Sequence, residues 1–306
     1  MSIAPPIHDG GAPAGIRCVR PPVIITGMHR SGTTLVSQCL HRLGLFLGIS
    51  MQQEYESLFF LSINEEIFRR TGGSWDQPSP VRYLTQCPEA FQMIVRCLRE
   101  DLLSSRVRGY LGLRRHLQWR SITSYDQPWG WKDPRSVYTL PLWLEVFPGA
   151  KIVYIIRNGV DVAHSLVQRS HRVVESDKRK FARRLRERKS KSALQRAGFM
   201  GSTRCLDLER SFALWEEYVS YADRLLAEIK NERFILKYEE LLSRPEAHLA
   251  PLAEFCGLTP PDEGRLNALT AMIDPNRGNA FTADPLLQDY HARVKNTHWM
   301  RRLGYG

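Results

Sequence analysis

Two short stretches carry the residue types that grip oxyanions. The first is Gly27-Met28-His29-Arg30-Ser31-Gly32-Thr33-Thr34. Its glycines stand at the spacing of a phosphate-binding P-loop, where the second Gly is followed by Lys and then Ser or Thr. Here Thr33 occupies the Lys position. Nucleoside triphosphatases use that Lys on the β- and γ-phosphates and the hydroxyl on Mg²⁺, so triphosphate chemistry is disfavoured. Anion binding is not. Backbone N–H groups of the loop and of the following helix converge on one spot, and the helix dipole favours negative charge there. Arg30 adds a guanidinium fork for phosphate or sulfonate oxygens, and Ser31, Thr33 and Thr34 add hydroxyl donors.

The second stretch is Ile156-Arg157-Asn158-Gly159-Val160-Asp161-Val162-Ala163-His164-Ser165. It follows the apolar run Lys151 to Ile156 directly, so Arg157 caps a strand. Ligands of open α/β sheets sit at the carboxyl ends of strands, which puts Arg157 within reach of the crevice that the first loop borders. Ser165 lies eight residues further on, and Arg169 one helical turn beyond it on the same face. A metal-dependent NTPase favours Asp at such a strand end; a cation suits a second phosphate bound without metal.

Both stretches need a strand before them and a helix after them. Val23 to Thr26 is a short apolar run between Pro and Gly, as a buried strand requires. Leu35, Val36, Cys39, Leu40 and Leu43 then recur on one helical face, and Gly44 supplies a stop. Lys151 to Ile156 and Phe234 to Leu236 read as further strands. Helical spacing marks Phe91 to Leu102, Val160 to Val167, Leu208 to Ile229 and Glu246 to Cys256. Strands alternating with helices predict an α/β fold: a P-loop-like, mainly parallel sheet flanked by helices. Residues 1–20 read as a mobile, Pro- and Gly-rich tail and 21–306 as a single domain. Within that domain, 171–205 is a basic, apolar-poor helical insertion, either a solvated face or a lid.

Taken together, the two motifs, about 130 residues apart, resemble the PAPS-dependent sulfotransferases, in the branch of the bacterial, tyrosylprotein and carbohydrate enzymes. PAPS is 3′-phosphoadenosine 5′-phosphosulfate. The resemblance runs from about Val23 to the KYEELL stretch at Lys237 to Leu242. It implies that Arg30, Ser31, Gly32, Thr33 and Thr34 hold the phosphosulfate, and that Arg157 and Ser165, with Arg169 nearby, hold the 3′-phosphate. Trp131-Lys132-Asp133-Pro134-Arg135 is similar to the family's Lys-Asp-Pro segment, which implies Lys132 beside the bridging oxygen. Lys132 has a second reading, as an ion-pair partner of Asp133 or another acid. Tyr238 is similar to a Tyr that borders the nucleotide, and Lys295 to a late basic residue near the 3′-phosphate. The family also uses an acidic general base after the first helix. GSWDQP at Gly73 to Pro78, preceded by Ile63-Asn64-Glu65-Glu66, is similar to a bacterial subgroup in which a Glu precedes the Asn by several residues, which implies Glu56 for that role, with Glu54 as the fallback. His29 stands where the tyrosylprotein branch has Pro; it either assists proton transfer or contacts the sulfonate, or is a tolerated loop residue. The implied reaction is metal-free in-line displacement that releases adenosine 3′,5′-bisphosphate. The acceptor is a carbohydrate, peptide or small molecule, bound by 45–90, 171–205 and 275–296.

Composition agrees and narrows the classes. The chain has 306 residues, ordinary apolar and charged fractions, and a net charge of +11, which points to anionic partners without naming them. Its six cysteines are scattered without metal-ligand spacing, against zinc or a disulfide scaffold and for a reducing cytoplasm. No apolar run reaches transmembrane length, and the N-terminus lacks signal-peptide character. A P-loop kinase or NTPase, and a non-enzymatic polyanion binder, are the alternatives. No nucleic-acid-binding signature is present.

Overall fold

The structure, a computed structural model, describes residues 15–187 and 202–306. Residues 1–14 of the expected tail and 188–201 of the expected basic insertion lie outside the described residues. The tail's last residues are tied down: Ile16 N–H donates to Val146 O at 2.7 Å and Val19 N–H to Thr123 O at 2.9 Å.

Strands β1 (Val23–Gly27), β2 (Gly130–Lys132), β3 (Lys151–Ile156) and β4 (Arg233–Lys237) form one sheet in the order β2-β1-β3-β4. Every neighbouring pair is parallel. Ile25 pairs with Lys132, Gly27 with Ile155, and Ile156 with Lys237, so the four carboxyl ends share one edge of the sheet. The helices are α1 (Thr33–Arg42), α2 (Leu58–Arg70), α3 (Pro88–Leu103), α4 (Arg108–Trp119), α5 (Ser136–Val146) and α6 (Gly159–Glu187). They continue with α7 (Leu208–Glu228), α8 (Tyr238–Ser243), α9 (Pro245–Phe255), α10 (Glu263–Thr270), α11 (Pro285–Val294) and α12 (His298–Arg302). The chain is α/β with a four-stranded parallel sheet flanked by helices.

The residues fall into two compact units. One comprises the chain up to Arg157 together with Tyr218–Gly278; the other comprises Asn158–Glu217 and Asn279–Gly306.

The first unit holds the sheet. Strands covered on both faces read as unbroken apolar runs, which is why β1 and β3 were legible. On one face Val23, Ile25, Val153, Ile155 and Leu236 pack against Val36 and Leu40 of α1, Leu241 of α8 and Leu249 and Leu252 of α9. The opposite face buries Ile24, Ile152 and Tyr154, and α5 packs along β1 there. α5 is buried on nearly all sides. Beside it, Phe60 of α2 stacks on Trp131 of β2 with ring centres 4.0 Å apart. β2 was not expected from the sequence: three residues are too few to show a period.

A polar knot ties α2 to α5 inside this aromatic packing. Asn64, fully buried, donates through Nδ2 to Asp133 Oδ2 (2.8 Å) and Ser136 Oγ (3.2 Å). Its Oδ1 accepts from Thr139 Oγ1 (2.8 Å) and Trp143 Nε1 (2.9 Å). Both donors and both acceptor positions of the amide are thus used, as burial demands.

In the second unit, Gly159 opens α6 where a Cβ would lie 2.6 Å from the Trp215 ring. Buried Asp161 accepts from the backbone N–H groups of Ala280 (3.1 Å) and Phe281 (2.8 Å). Residues 171–187, the start of the expected basic insertion, continue α6 without a break. Among the described residues no helix is long and apolar enough to cross a membrane.

All six cysteines are free thiols. Burial pushes Cys39 up to about 11 and Cys18 and Cys256 up to about 12, while Cys205 is fully buried. A raised pKa means less thiolate, the reactive form, at mild alkaline pH. At pH 8 a thiol-exchange reagent should therefore titrate Cys87 and Cys97, the exposed thiols, in a fast phase and the other four only on unfolding. Fast reaction of more than these two would contradict the packing.

Candidate active site

The carboxyl edge of the sheet gathers functional side chains from all four strands. Lys132 closes β2, the Gly27–Gly32 loop follows β1, Arg157 follows β3 and Tyr238 follows β4. The strand order switches between β1 and β3, because the chain leaves β1 for β2 on one side and returns to β3 on the other, and open α/β sheets bind ligands at such a switch.

The loop has the features of an anion cradle. Arg30 and Gly32 both have positive φ, 69° and 90°. Gly32 is required there: a Cβ would lie 2.1 Å from Cδ2 of Tyr238. α1 starts directly after it, with no side-chain cap and no acid in its first turn, so its N-terminal positive potential is not cancelled. Ser31 Oγ is buried and has no hydrogen-bond partner among the described residues. A buried hydroxyl is seldom left so, and an oxyanion seated on the loop would satisfy it. Thr33 is buried and Thr34 half-buried in the first turn of α1, with Thr34 Oγ1 donating to Glu54 O at 3.4 Å. Arg30 is exposed.

Arg157 joins the strand ends. Its Nη1 donates to Arg30 O at 3.1 Å and its Nη2 to Arg277 O at 2.8 Å. Its guanidinium lies 4.9 Å from the centre of the Tyr238 ring. Burial raises the Tyr238 hydroxyl above its usual pKa, and the Arg157 and Arg277 charges act against that rise. Tyr238 thus belongs at once to the core and to the wall behind Gly32.

A buried charge cluster stands beside the loop. Lys132 Nζ donates to Glu56 Oε1 at 3.0 Å, with the two side chains 2% and 10% exposed. Arg135 Nη1 lies 3.6 Å from Glu56 Oε2 and 3.0 Å from Asp133 Oδ1, and Arg135 Nη2 lies 3.0 Å from Glu65 Oε1. Of the two candidate bases, Glu56 is therefore buried and paired, whereas Glu54 is exposed. Lys132 pairs with Glu56 and not with its neighbour Asp133, which turns to Arg135 and Asn64. Burial pushes the Asp133 carboxyl up while the Arg135 charge pulls it down. For Arg135, burial works against the charge, but Asp133, Glu56 and Glu65 outweigh it and its pKa rises.

His29, within the loop, is buried. Its ring centre lies 4.8 Å from that of Trp75 and 6.2 Å from that of Tyr218, whose hydroxyl donates to Trp75 O at 2.7 Å. Trp129 and Trp131 are fully buried core residues, and Trp75 is half-buried.

Ser165, Arg169 and Lys295 belong to the second unit. Ser165 and Arg169 are half-buried one turn apart on α6, and Lys295 is exposed at the C-cap of α11. Sequence reasoning gave no role to Arg135, Arg277 or Asp161. Arg135 was within the Lys-Asp-Pro segment already singled out, but its pairing with Glu56 crosses 79 positions (135 minus 56) and leaves no local signal. Among the described residues no group of three or more His, Cys, Asp or Glu side chains is arranged to hold a metal ion.

The sequence matches the family model described as "Sulfotransferase family" over residues 21–262. No curated protein matches it. Among solved structures, it is similar to the sulfotransferase domain from the curacin biosynthetic pathway, at 13% identity over 91% of this chain and 99% of that one, with a TM-score of 0.47. It is also similar to the sulfotransferase domain of the Synechococcus PCC 7002 olefin synthase, at 18% identity over 89% and 87% of the two chains, with a TM-score of 0.39. For sulfotransferase STF1 from Mycobacterium tuberculosis H37Rv the values are 17%, 85%, 72% and 0.37.

Replacing Gly32 by Ala should cost roughly 1–3 kcal/mol, from a left-handed backbone combined with the clash against Tyr238. Urea unfolding measures it; an unchanged midpoint would show that the loop and ring relax freely.

Proposed function

The chain belongs to the sulfotransferase family, and we propose that it transfers a sulfuryl group from PAPS to a hydroxyl or amine of a carbohydrate, peptide or small-molecule acceptor. The observation that carries this reading is the buried Glu56–Lys132 pair beside a phosphate loop whose second Gly is followed by Thr33. A carboxylate and an ammonium in contact supply a proton acceptor and a leaving-group cation at one place. The partnerless Ser31 hydroxyl and the uncapped start of α1 support a bound oxyanion in that loop.

In this reading the acceptor oxygen or nitrogen attacks sulfur. The bond from sulfur to the bridging oxygen breaks, and its electron pair leaves with the 5′-phosphate of adenosine 3′,5′-bisphosphate. Glu56 takes the acceptor's proton. Lys132 and Arg30 stabilise charge that grows on the leaving phosphate and the transferring group, as fixed cations do in phosphoryl transfer. Ser31, Gly32, Thr33 and Thr34 hold the phosphosulfate. Arg157 holds the 3′-phosphate and Tyr238 walls the nucleotide, while the roles of Ser165, Arg169 and Lys295 at the 3′-phosphate are carried over from the resemblance alone. We give His29 the lesser role of a contact to the sulfonate, since its packing on Trp75 and Tyr218 accounts for its burial. Sulfuryl carries less negative charge than a terminal phosphoryl, so these cations suffice and no metal is required. The net charge of +11 suits an anionic donor, and free thiols throughout suit a reducing cytoplasm.

Calorimetry tests the donor side. Adenosine 3′,5′-bisphosphate should bind without metal and in preference to 5′-AMP and ATP. Lys132→Ala should then slow release of the bisphosphate from PAPS by about 10²–10³-fold, the usual cost of losing one charge-stabilising donor. Preference for ATP with Mg²⁺ would return the loop to nucleoside triphosphate chemistry.

A further inference from the structure

Sulfuryl transfer as read above asks two things of Lys132 that compete for its position. It must meet the leaving phosphate while its ammonium lies 3.0 Å from Glu56. Lys132 Nζ is buried and carries three N–H donors, of which the bond to Glu56 uses one. Turning it towards the phosphate would strip a buried carboxylate of its cation, and breaking a buried pair in that way is strongly unfavourable. Glu56 would then lose the contact that aims it, and could not serve as the base.

We infer that Arg135 is the positioning residue that resolves this competition: it keeps Glu56 paired and aimed while Lys132 turns to the leaving group. The geometry divides the carboxylate between the two cations. Lys132 takes Oε1, and Arg135 approaches Oε2 at 3.6 Å. The cations differ in freedom. Lys132 has a flexible stem and a point charge. Arg135 is held by three bonds to two carboxylates: its backbone N–H and Nη1 donate to Asp133 Oδ1 at 2.9 and 3.0 Å, and its Nη2 donates to Glu65 Oε1 at 3.0 Å. Asp133 is fixed in turn by Asn64, whose remaining bonds run to Ser136, Thr139 and Trp143. Arg135 therefore cannot follow the ligand, and Lys132 can. Binding of the donor then moves one cation off Glu56 and leaves the other in place, so the pair that stores the base in the free protein releases it when the leaving group is present.

The inference rests on the sulfuryl-transfer reading, and one binding cycle separates the two. Calorimetry with adenosine 3′,5′-bisphosphate is run on the wild type, Arg135→Gln, Glu56→Gln and the double variant. Losing Arg135 makes Glu56 hold Lys132 harder, so Arg135→Gln should weaken binding by roughly tenfold, a size ordinary for coupled sites. Glu56→Gln frees Lys132 and should bind more tightly than the wild type. In the double variant the Arg135 effect should vanish, leaving affinity within about threefold of Glu56→Gln alone. Arg135→Lys, which keeps the charge, should recover most of the wild-type affinity. Wild-type affinity in Arg135→Gln, or a double variant as weak as that single one, overturns the inference and leaves the reading intact. If Arg135→Gln does not fold, Glu56→Gln decides: equal or weaker binding than wild type overturns the inference. A wild type that does not bind the bisphosphate removes the reading and the inference with it.

Discussion

Two carboxylates, Glu56 and Asp133, and two cations, Lys132 and Arg135, are sunk together at the end of β2, and the site depends on their mutual neutralisation. Glu56 and Asp133 are 8% and 0% exposed, and Lys132 is 2% exposed. None of these groups is tolerable alone at that depth. The condition reaches well beyond the four residues. It requires β2 to end at Lys132, Trp131 to face the ring of Phe60, and Asn64 to spend its whole amide on α5 and Asp133. The chain from Tyr55, with φ of 62°, must turn Glu56 inward just before α2 begins. A buried pair is weak support for stability; its value lies in specifying one arrangement of α2, α5 and β2 at the place where chemistry is expected.

The sheet order supplies the second half of the site. Parallel strands send all four carboxyl ends to one edge, and the reversal between β1 and β3 opens the crevice there. Arg157 closes one side of that crevice by bonding the Arg30 carbonyl, which fixes the loop backbone while leaving the Arg30 side chain outward. Tyr238 then fills the space that Gly32 leaves open. Each of these contacts joins the carboxyl end of one strand to the loop beyond β1, so small changes in strand register would move the loop and the cations together.

The parts legible in the sequence were those with a local period or a local motif. β1 and β3 read as apolar runs because both faces are covered, and α1 read from its one-sided stripe and Gly44 stop. The loop read from its two glycines, and Thr33 in place of Lys pointed away from triphosphates. β2 has three residues and no period, so only its Lys-Asp-Pro segment marked it. Glu56 had no local signal and came from resemblance alone; the pairing with Lys132 is what distinguishes it from exposed Glu54. Arg135 and Asn64 stood in stretches that the sequence marks, but their bonds to Glu56, Glu65, Thr139 and Trp143 join separate elements and leave no local signal. Asp161 was within a motif already quoted, yet its bonds to the Ala280 and Phe281 backbone become apparent only in three dimensions.

Thr33 in place of a loop lysine also bears on where a buried positive charge comes from in the proposed site. A P-loop NTPase carries its Lys on the loop itself, so loop and cation move as one. Here the loop keeps the backbone cradle, and the buried cation arrives from the neighbouring strand, opposite Ile25. A cation on a separate element can be held by a separate carboxylate. In the proposed mechanism, that arrangement lets the same ion pair store the charge and supply the base, which a loop lysine one residue from the phosphate could not do. On that reading, placing the Lys on the strand makes the electrostatics of the anion site depend on Glu56, and through Glu56 on Arg135 and the polar knot around Asn64.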